Sequence, residues 1–312
     1  MGAAAAVCLF PGQGSQHVGM GRDLAEAFPV ARRTFAEADD HLGFALSRLC
    51  FAGPPEALEL TENAQPAILT ASVAAYRVLV ETVALVPRAL AGHSLGEWSA
   101  LVASGALDFG DAVRGVRERG RLMQAAVPVG AGAMAAAMGL DADVVTDLCR
   151  QAAQGEVLAP ANLNGGGQVV VAGHAAAVER FAALATARRA RVQRLRVSAP
   201  FHCALMEPAA RGLACALEGV RVREPSLPVV TSVEARPVCR AGELRELLVR
   251  QVTAPVRWEE TVRALVALGA DVALEVGPGR ALAGLVRRIA PGLPVVAAGD
   301  AAGVERVREA LR

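Results

Sequence analysis

The 312-residue sequence contains no lysine, and all 32 of its basic residues are arginine. This absence excludes every mechanism that begins with a lysine Schiff base. The net charge is only +1, which gives no reason to expect a nucleic acid or an anionic membrane surface as a partner. We therefore look for a site built from other nucleophiles and expect a small molecule or another protein as the partner.

Cysteine patterns and long hydrophobic runs are also missing. The six cysteines form no C-x-x-C pair and no cysteine–histidine cluster, so we expect no metal site and a reducing compartment. The most apolar stretch, 67–90, is interrupted by Arg77, Glu81 and Arg88, whereas a membrane span needs about 18 apolar residues. The apolar N-terminal run lacks the basic residues of a signal peptide. These features predict a cytoplasmic protein with no membrane partner.

What the sequence does contain is a regular alternation of short apolar runs with amphipathic stretches. This alternation is typical of an α/β fold with a largely parallel sheet. The predicted strands are Ala4–Phe10, Arg88–Gly92, Met134–Met138, Val157–Asn162, Gln168–Ala172, Val192–Val197, Leu227–Thr231, Val272–Val276 and Pro294–Ala298. The predicted helices include Gln65–Val83, Leu95–Ser104, Asp108–Ala126, Ala142–Gln154, Ala175–Ala187, Ala204–Glu218 and Thr261–Leu268.

One part of this pattern has an order of its own. Between about Val127 and Arg196 the predicted elements follow the order strand, helix, strand, strand, helix, strand, which is the ferredoxin-like order. We therefore predict a small ferredoxin-like subdomain, residues 127–197, inserted into a larger α/β core formed by residues 1–126 and 198–312.

The segment Gly92–Gly96 (GHSLG) carries the clearest chemical signal. It follows a predicted strand and precedes a predicted helix, which is the context that a nucleophile elbow requires. In such a turn Ser94 is exposed beside a helix N-terminus, and the backbone N–H of Leu95 can point at a developing oxyanion. The alternative is a glycine-rich turn with an incidental serine. We favour Ser94 as the nucleophile of an acyl-transfer enzyme.

A serine nucleophile needs a base, and the chain has five histidines. His41 lies in a polar helical stretch and His174 at the end of a predicted strand, so we expect a structural role for both. The side chain of His93 should point away from its neighbour Ser94. His202 follows a predicted strand and a proline turn, so it can project over the edge of the sheet. It is the best candidate, although His17 in the glycine-rich N-terminal loop stays possible. No aspartate between Ser94 and His202 has a matching setting, so a backbone carbonyl is expected to orient the imidazole.

Several segments together resemble a known family. They are FPGQGSQ at 10–16, GHSLGEWSALVASGAL at 92–107, RGRLMQ at 119–124, NLN at 162–164 with QVV at 168–170, HCALM at 202–206 and EVGPG at 275–279. In this order and spacing they resemble the malonyl-CoA:acyl carrier protein transacylases and the polyketide acyltransferases, over about residues 7–290. The resemblance implies an α/β-hydrolase-like core with a ferredoxin-like insertion.

The resemblance also implies roles for individual residues. Ser94 would carry the malonyl group between malonyl-CoA and the phosphopantetheine thiol of an acyl carrier protein, with His202 as base and acid. The backbone carbonyl of Gln251 would orient His202, and the N–H groups of Gln13 and Leu95 would form the oxyanion hole. Arg119 would bind the malonyl carboxylate; on spacing alone it reads as an exposed helix residue. Asn162 and Gln168 would lie near the acyl pocket, and no cofactor is implied.

At two positions this sequence departs from the pattern of the fatty-acid enzymes in the family. Phe201 stands where many fatty-acid enzymes carry serine and where malonyl-selective polyketide acyltransferases carry phenylalanine. Ala254 replaces an asparagine that is common in the fatty-acid enzymes. The pathway, fatty acid or polyketide, and the choice of extender unit therefore stay open. Two further alternatives also stay open: an acyl-carrier thioester hydrolase that uses the same Ser94 and His202, and a non-catalytic carrier-binding subunit.

Overall fold

The computed structural model describes residues 4–195 and 197–312, which form two β-sheets and their surrounding helices. The strands are β1 (Ala6–Phe10), β2 (Ala89–Gly92), β3 (Gly132–Met138), β4 (Leu158–Gly165), β5 (Gln168–His174), β6 (Arg191–Arg194), β7 (Val229–Val230), β8 (Pro237–Val238), β9 (Val272–Glu275) and β10 (Val295–Ala297). Arg196, within the predicted strand Val192–Val197, lies outside the described residues.

The helices lie between and around these strands. They are α1 (Arg22–Ala27), α2 (Pro29–Leu42), α3 (Leu46–Ala52), α4 (Pro55–Glu59), α5 (Thr61–Val83), α6 (Gly96–Ala103), α7 (Phe109–Ala125), α8 (Ala142–Ala153), α9 (Ala175–Ala187), α10 (Glu207–Leu217), α11 (Ala241–Arg250), α12 (Trp258–Ala267), α13 (Ala281–Ile289) and α14 (Ala301–Ala310). A single 3-10 turn, Ala204–Met206, precedes α10, so the predicted helix Ala204–Glu218 is two elements.

The larger sheet has the strand order β10-β9-β1-β2-β7-β8. All of its pairings are parallel except β7 with β8, which confirms the largely parallel sheet. Strand β1 is buried along its whole length, as expected for a parallel strand that is covered on both faces. Because Phe10 pairs with Gly92 at the carboxyl ends of β1 and β2, the loops that follow these two strands lie side by side. Ser94 lies in one of these loops.

The smaller sheet has the order β4-β5-β3-β6, and its pairings are antiparallel. Its elements follow the chain order β3-α8-β4-β5-α9-β6, which is the order that the sequence predicts for a ferredoxin-like unit. One face packs under α8 and α9 around Leu148 and Phe181. The other face contributes Met134 and Val170 to the main core. The division of the chain at residues 127 and 197 stays a prediction.

Helix α5 is long and apolar enough to cross a membrane by length and composition, and it is the one such helix in the described part of the chain. However, 72% of its most apolar window is buried inside the protein. The helix packs against α2 and α7, and Arg77 near its end pairs with Glu37 at 2.6 Å. It is therefore a central helix of the core.

Candidate active site

Ser94 lies in a tight turn between the end of β2 and the start of α6. Its φ is +51°, a region that residues other than glycine rarely adopt. A Cβ on Gly92 would lie 1.9 Å from the carbonyl carbon of Gly96, and one on Gly96 would lie 2.0 Å from the carbonyl oxygen of Phe10. The two glycines are therefore required for this turn, and the strand–turn–helix context predicted for the motif is present.

The described structure brings His202 to Ser94 from 108 residues further along the chain. The Nε2 atom of His202 lies 2.8 Å from Oγ of Ser94, and its Nδ1 atom lies 2.8 Å from the backbone carbonyl oxygen of Gln251. When Nδ1–H donates to that carbonyl, the lone pair of Nε2 faces the serine hydroxyl. The geometry can therefore transfer a proton from Ser94 to His202, without a carboxylate behind the imidazole.

The surroundings of His202 keep it neutral. Burial, and then the positive charge of Arg119, lower the pKa of His202 from its ordinary value to about 3. The carbonyl of Gln251 opposes this shift but does not cancel it. At neutral pH the imidazole is therefore in the form that can accept a proton.

Arg119, on α7, points inward rather than to solvent. Its side chain is buried, and its Nη1 atom donates to Oε1 of Gln65 at 2.8 Å. Its Nη2 atom donates to Oε1 of Gln251 at 3.0 Å and to Oγ of Ser94 at 3.2 Å. Burial lowers the pKa of Arg119 to about 10, so the guanidinium remains protonated at neutral pH. A fixed cation thus lies beside the serine hydroxyl, which spacing alone did not predict.

A cavity of about 500 Å³ surrounds these groups, between the edge of the larger sheet and the inner face of the smaller one. It brings together eight of the nine predicted site residues: Gln13, Ser94, Leu95, Arg119, Asn162, Gln168, Phe201 and His202. The ninth, Gln251, lies behind His202 and Arg119. A larger cavity of about 790 Å³, between α10 and α11, is lined by other residues.

The other histidines near the site have different contacts. The Nε2 atom of His93 is 2.9 Å from Oδ1 of Asn164, so this ring is turned from Ser94 toward the smaller sheet, as predicted. Asn164 in turn donates to Oε1 of Gln168 at 3.4 Å. The Nδ1 atom of His17 lies 3.3 Å from the carbonyl oxygen of Ser15, within its own loop.

Three residues at the site were not predicted from the sequence: Gln65, Asn164 and Glu97. Gln65 lies near the start of α5 and follows other polar residues such as Glu62 and Asn63, so nothing in the sequence distinguished it. Asn164 belongs to the quoted segment NLN, and Glu97 follows the GHSLG motif directly. Glu97 is fully buried, and its contacts are described below.

An α/β chain whose elbow serine is hydrogen-bonded to a histidine has the arrangement of enzymes that form acyl-serine intermediates. Within that class, a family model described as the acyl transferase domain matches residues 7–290. The chain belongs to this acyl transferase family.

Individual relatives cover almost the whole chain. It is 49% identical to a malonyl CoA-acyl carrier protein transacylase of Haemophilus influenzae, over 97% of this chain and 98% of the relative. A solved transacylase of the same name from Coxiella burnetii superposes with a TM-score of 0.97 at 40% identity, covering 99% of this chain and 98% of its own. A malonyl-transacylase solved in complex with its type II PKS acyl-carrier protein matches at 48% identity and a TM-score of 0.96, over 98% and 99% of the two chains.

Proposed function

We propose that this protein transfers a malonyl group from malonyl-CoA to the phosphopantetheine thiol of an acyl carrier protein, through an ester on Ser94. The names of the relatives support the substrates. The observation that carries the proposal is the buried Arg119 guanidinium, 3.2 Å from Oγ of Ser94. An acyl group that ends in a carboxylate is the ligand that such a cation selects, because guanidinium and carboxylate can form a bidentate pair.

In the first half-reaction, His202 accepts the proton of Ser94 while Oγ attacks the thioester carbonyl of malonyl-CoA. The oxyanion that forms would accept hydrogen bonds from the backbone N–H groups of Gln13 and Leu95. Loss of one such donor typically costs about 10²–10³ in kcat. The C–S bond then breaks, and His202 returns the proton to the CoA thiolate. The malonyl group is left as an ester on Ser94.

The second half-reaction runs the same chemistry in reverse. The carrier thiol gives its proton to His202 and attacks the ester, and the serine alkoxide recovers the proton as it leaves. Throughout both steps Arg119 would hold the distal carboxylate, while Asn162 and Gln168 line the acyl pocket. Transfer rather than hydrolysis requires that water be kept from the ester, which a buried His202 and a half-enclosed cavity favour.

A second candidate concerns the carrier. One 48% identical relative was solved with a type II PKS acyl-carrier protein. The family resemblance also implies that malonyl-selective polyketide enzymes carry phenylalanine at the position of Phe201. We propose that this chain serves either a fatty-acid or a polyketide carrier, and transfer rates measured in parallel with the two carriers would decide between them.

The six free cysteines fit a cytoplasmic location.

Intact-mass spectrometry after brief incubation with malonyl-CoA tests the proposal. The wild-type protein should gain the mass of one malonyl group, and Ser94→Ala should gain none. Ser99→Ala, a buried serine of α6 five residues away, is the matched control and should label like the wild type. Undiminished labelling of Ser94→Ala would overturn the proposal, and free malonate released without carrier would favour the hydrolase.

A further inference from the structure

Glu97 is a buried carboxylate for which the proposed reaction has no task. It lies in the first turn of α6, three residues after Ser94, and its side chain is inaccessible to solvent. Its Oε2 atom accepts from the backbone N–H of Ser232 at 2.8 Å, from the Ser232 hydroxyl at 2.5 Å and from Nε2 of Gln251 at 3.0 Å. A carboxylate is costly to bury, so its three donors point to a specific use.

The side-chain amide of Gln251 lies between Glu97 and Arg119. Its NH₂ group faces the carboxylate, and it also lies 3.2 Å from the backbone carbonyl oxygen of Ser94. The oxygen of the amide accepts from Nη2 of Arg119 at 3.0 Å. If the amide flipped, its oxygen would face Glu97 and its NH₂ would face the guanidinium, and both contacts would be repulsive. The acceptor oxygen of Glu97 on one side and the donor Arg119 on the other therefore select a single orientation of the amide.

The orientation of Arg119 depends on this amide. Its Nε atom has no hydrogen-bond partner within residues 4–195 and 197–312. The guanidinium is held instead by hydrogen bonds from Nη1 to Gln65 and from Nη2 to Gln251 and Ser94. If the side-chain oxygen of Gln251 were not fixed, Nη2 of Arg119 would lose an acceptor whose position does not depend on the reacting serine.

We propose that Glu97 is a positioning residue: by anchoring the amide of Gln251, it holds Arg119 where the distal carboxylate of the acyl group binds. The inference rests on the proposed malonyl transfer. The backbone carbonyl of Gln251 also accepts a hydrogen bond from His202. The end of α11 fixes this carbonyl, because the backbone N–H of Gln251 donates to the carbonyl oxygen of Leu247. The side-chain anchor therefore affects acyl selection more than proton transfer.

The contact, rather than the charge, of Glu97 carries this role. Burial raises the pKa of Glu97, so its negative charge is disfavoured where it stands. Glutamine at this position keeps an oxygen in place for Ser232 and Gln251, whereas aspartate keeps the charge but is one methylene shorter. The two substitutions separate contact from charge.

The test compares kcat/KM for formation of the acyl-enzyme from malonyl-CoA and from acetyl-CoA. Glu97→Asp and Glu97→Ala should lower the malonyl-to-acetyl ratio about 10- to 100-fold, since a displacement of about 1 Å can cost 10²-fold. Glu97→Gln should keep the ratio within about 3-fold of wild type, a difference smaller than that of one ordinary hydrogen bond at its upper range. Glu275→Gln is the matched control: it is also a buried carboxylate, but it accepts from the backbone of α13, and the ratio should not change.

A folded Glu97→Asp with the wild-type ratio would overturn the inference, and so would a Glu97→Gln that loses as much selectivity as Glu97→Ala. If neither shortened variant folds, Ser232→Ala removes only the hydroxyl between Glu97 and Gln251. It should lower the ratio about 2- to 10-fold, and an unchanged ratio there would also overturn the inference. A wild-type protein that forms no malonyl ester would overturn the proposed function itself, whereas normal malonylation with an unchanged ratio overturns the inference alone.

Discussion

Arg119 is a cation that is held out of water beside a nucleophile, and its removal should change which acyl group reacts. In Arg119→Ala the malonyl carboxylate would be buried without its counter-charge, which costs several kcal/mol. Acetyl carries no such charge, so we expect malonyl transfer to be lost while relative activity on acetyl-CoA rises. Arg121→Ala, an exposed residue of the same helix, is the control. An equal loss on both acyl-CoAs would make Arg119 structural.

His202 should determine how the rate depends on pH. A histidine is an active base only above its pKa, and that of His202 is lowered to about 3 by burial and by Arg119. The acylation kcat/KM should therefore stay flat from about pH 5 to 8, instead of falling near 6.5 as for an ordinary histidine. His202→Ala should slow both half-reactions about 10²- to 10⁴-fold. An acid limb near pH 6.5 would contradict the lowered pKa of His202. An inactive His17→Ala beside an active His202→Ala would show that His202 is not the base.

Phe201 lies beside His202 in the wall of the cavity, where its ring can limit the size of the acyl group. An α-methyl group would press against this ring, and overpacking typically costs about 1–3 kcal/mol, or roughly 5- to 150-fold in preference. We expect the kcat/KM ratio of malonyl-CoA to methylmalonyl-CoA to fall in Phe201→Ser. An unchanged ratio in a folded variant would mean that Phe201 packs the loop without selecting substrate.

At the scale of elements, the junction of β2 and α6 depends on close backbone contacts. A methyl group on Gly96 would meet the carbonyl oxygen of Phe10, so Gly96→Ala should destabilise the fold by about 1–3 kcal/mol or more. Gly284→Ala in α13 is the control, because no neighbouring atom lies within 4 Å of its added Cβ. That variant should gain up to about 1 kcal/mol from helix propensity. Urea unfolding measures both, and a neutral Gly96→Ala would contradict the packing argument.

The elements differ in how far the sequence could predict them. Short apolar runs predicted strands such as β1 and β9 to within two residues, because every residue of these strands is buried. The short helices α1, α3 and α4 were not predicted, since their few turns carry weak periodicity. The segment around His41 was expected to be helical, but the bounds of α2 were not predicted, and α11, α13 and α14 were also missed. The two-residue strand β8 was missed as well, because it is defined by its pairing with β7 rather than by its own residues.

The same limit applies to the site at the scale of the whole molecule. Ser94 and His202 could be selected from local context, and the family resemblance supplied Arg119 and Gln251. Gln65, Asn164 and Glu97 could not be selected, because their importance lies in contacts across 54 residues or more of sequence. Elements that are far apart in the sequence must pack together before such side chains meet, and no local pattern records that packing.

Burial and the charge of Arg119 give His202 a low proton affinity, and the neutral backbone carbonyl behind it does not restore the ordinary value. A base of such low proton affinity activates an ordinary thiol, with a pKa near 8.5, far more readily than water, with a pKa of 15.7. Under the proposed mechanism the ester on Ser94 therefore outlasts its encounters with solvent and ends when a thiol arrives, either that of a carrier or that of CoA in the reverse reaction. The loaded protein would act as a short-term store, whose turnover follows the supply of empty carriers.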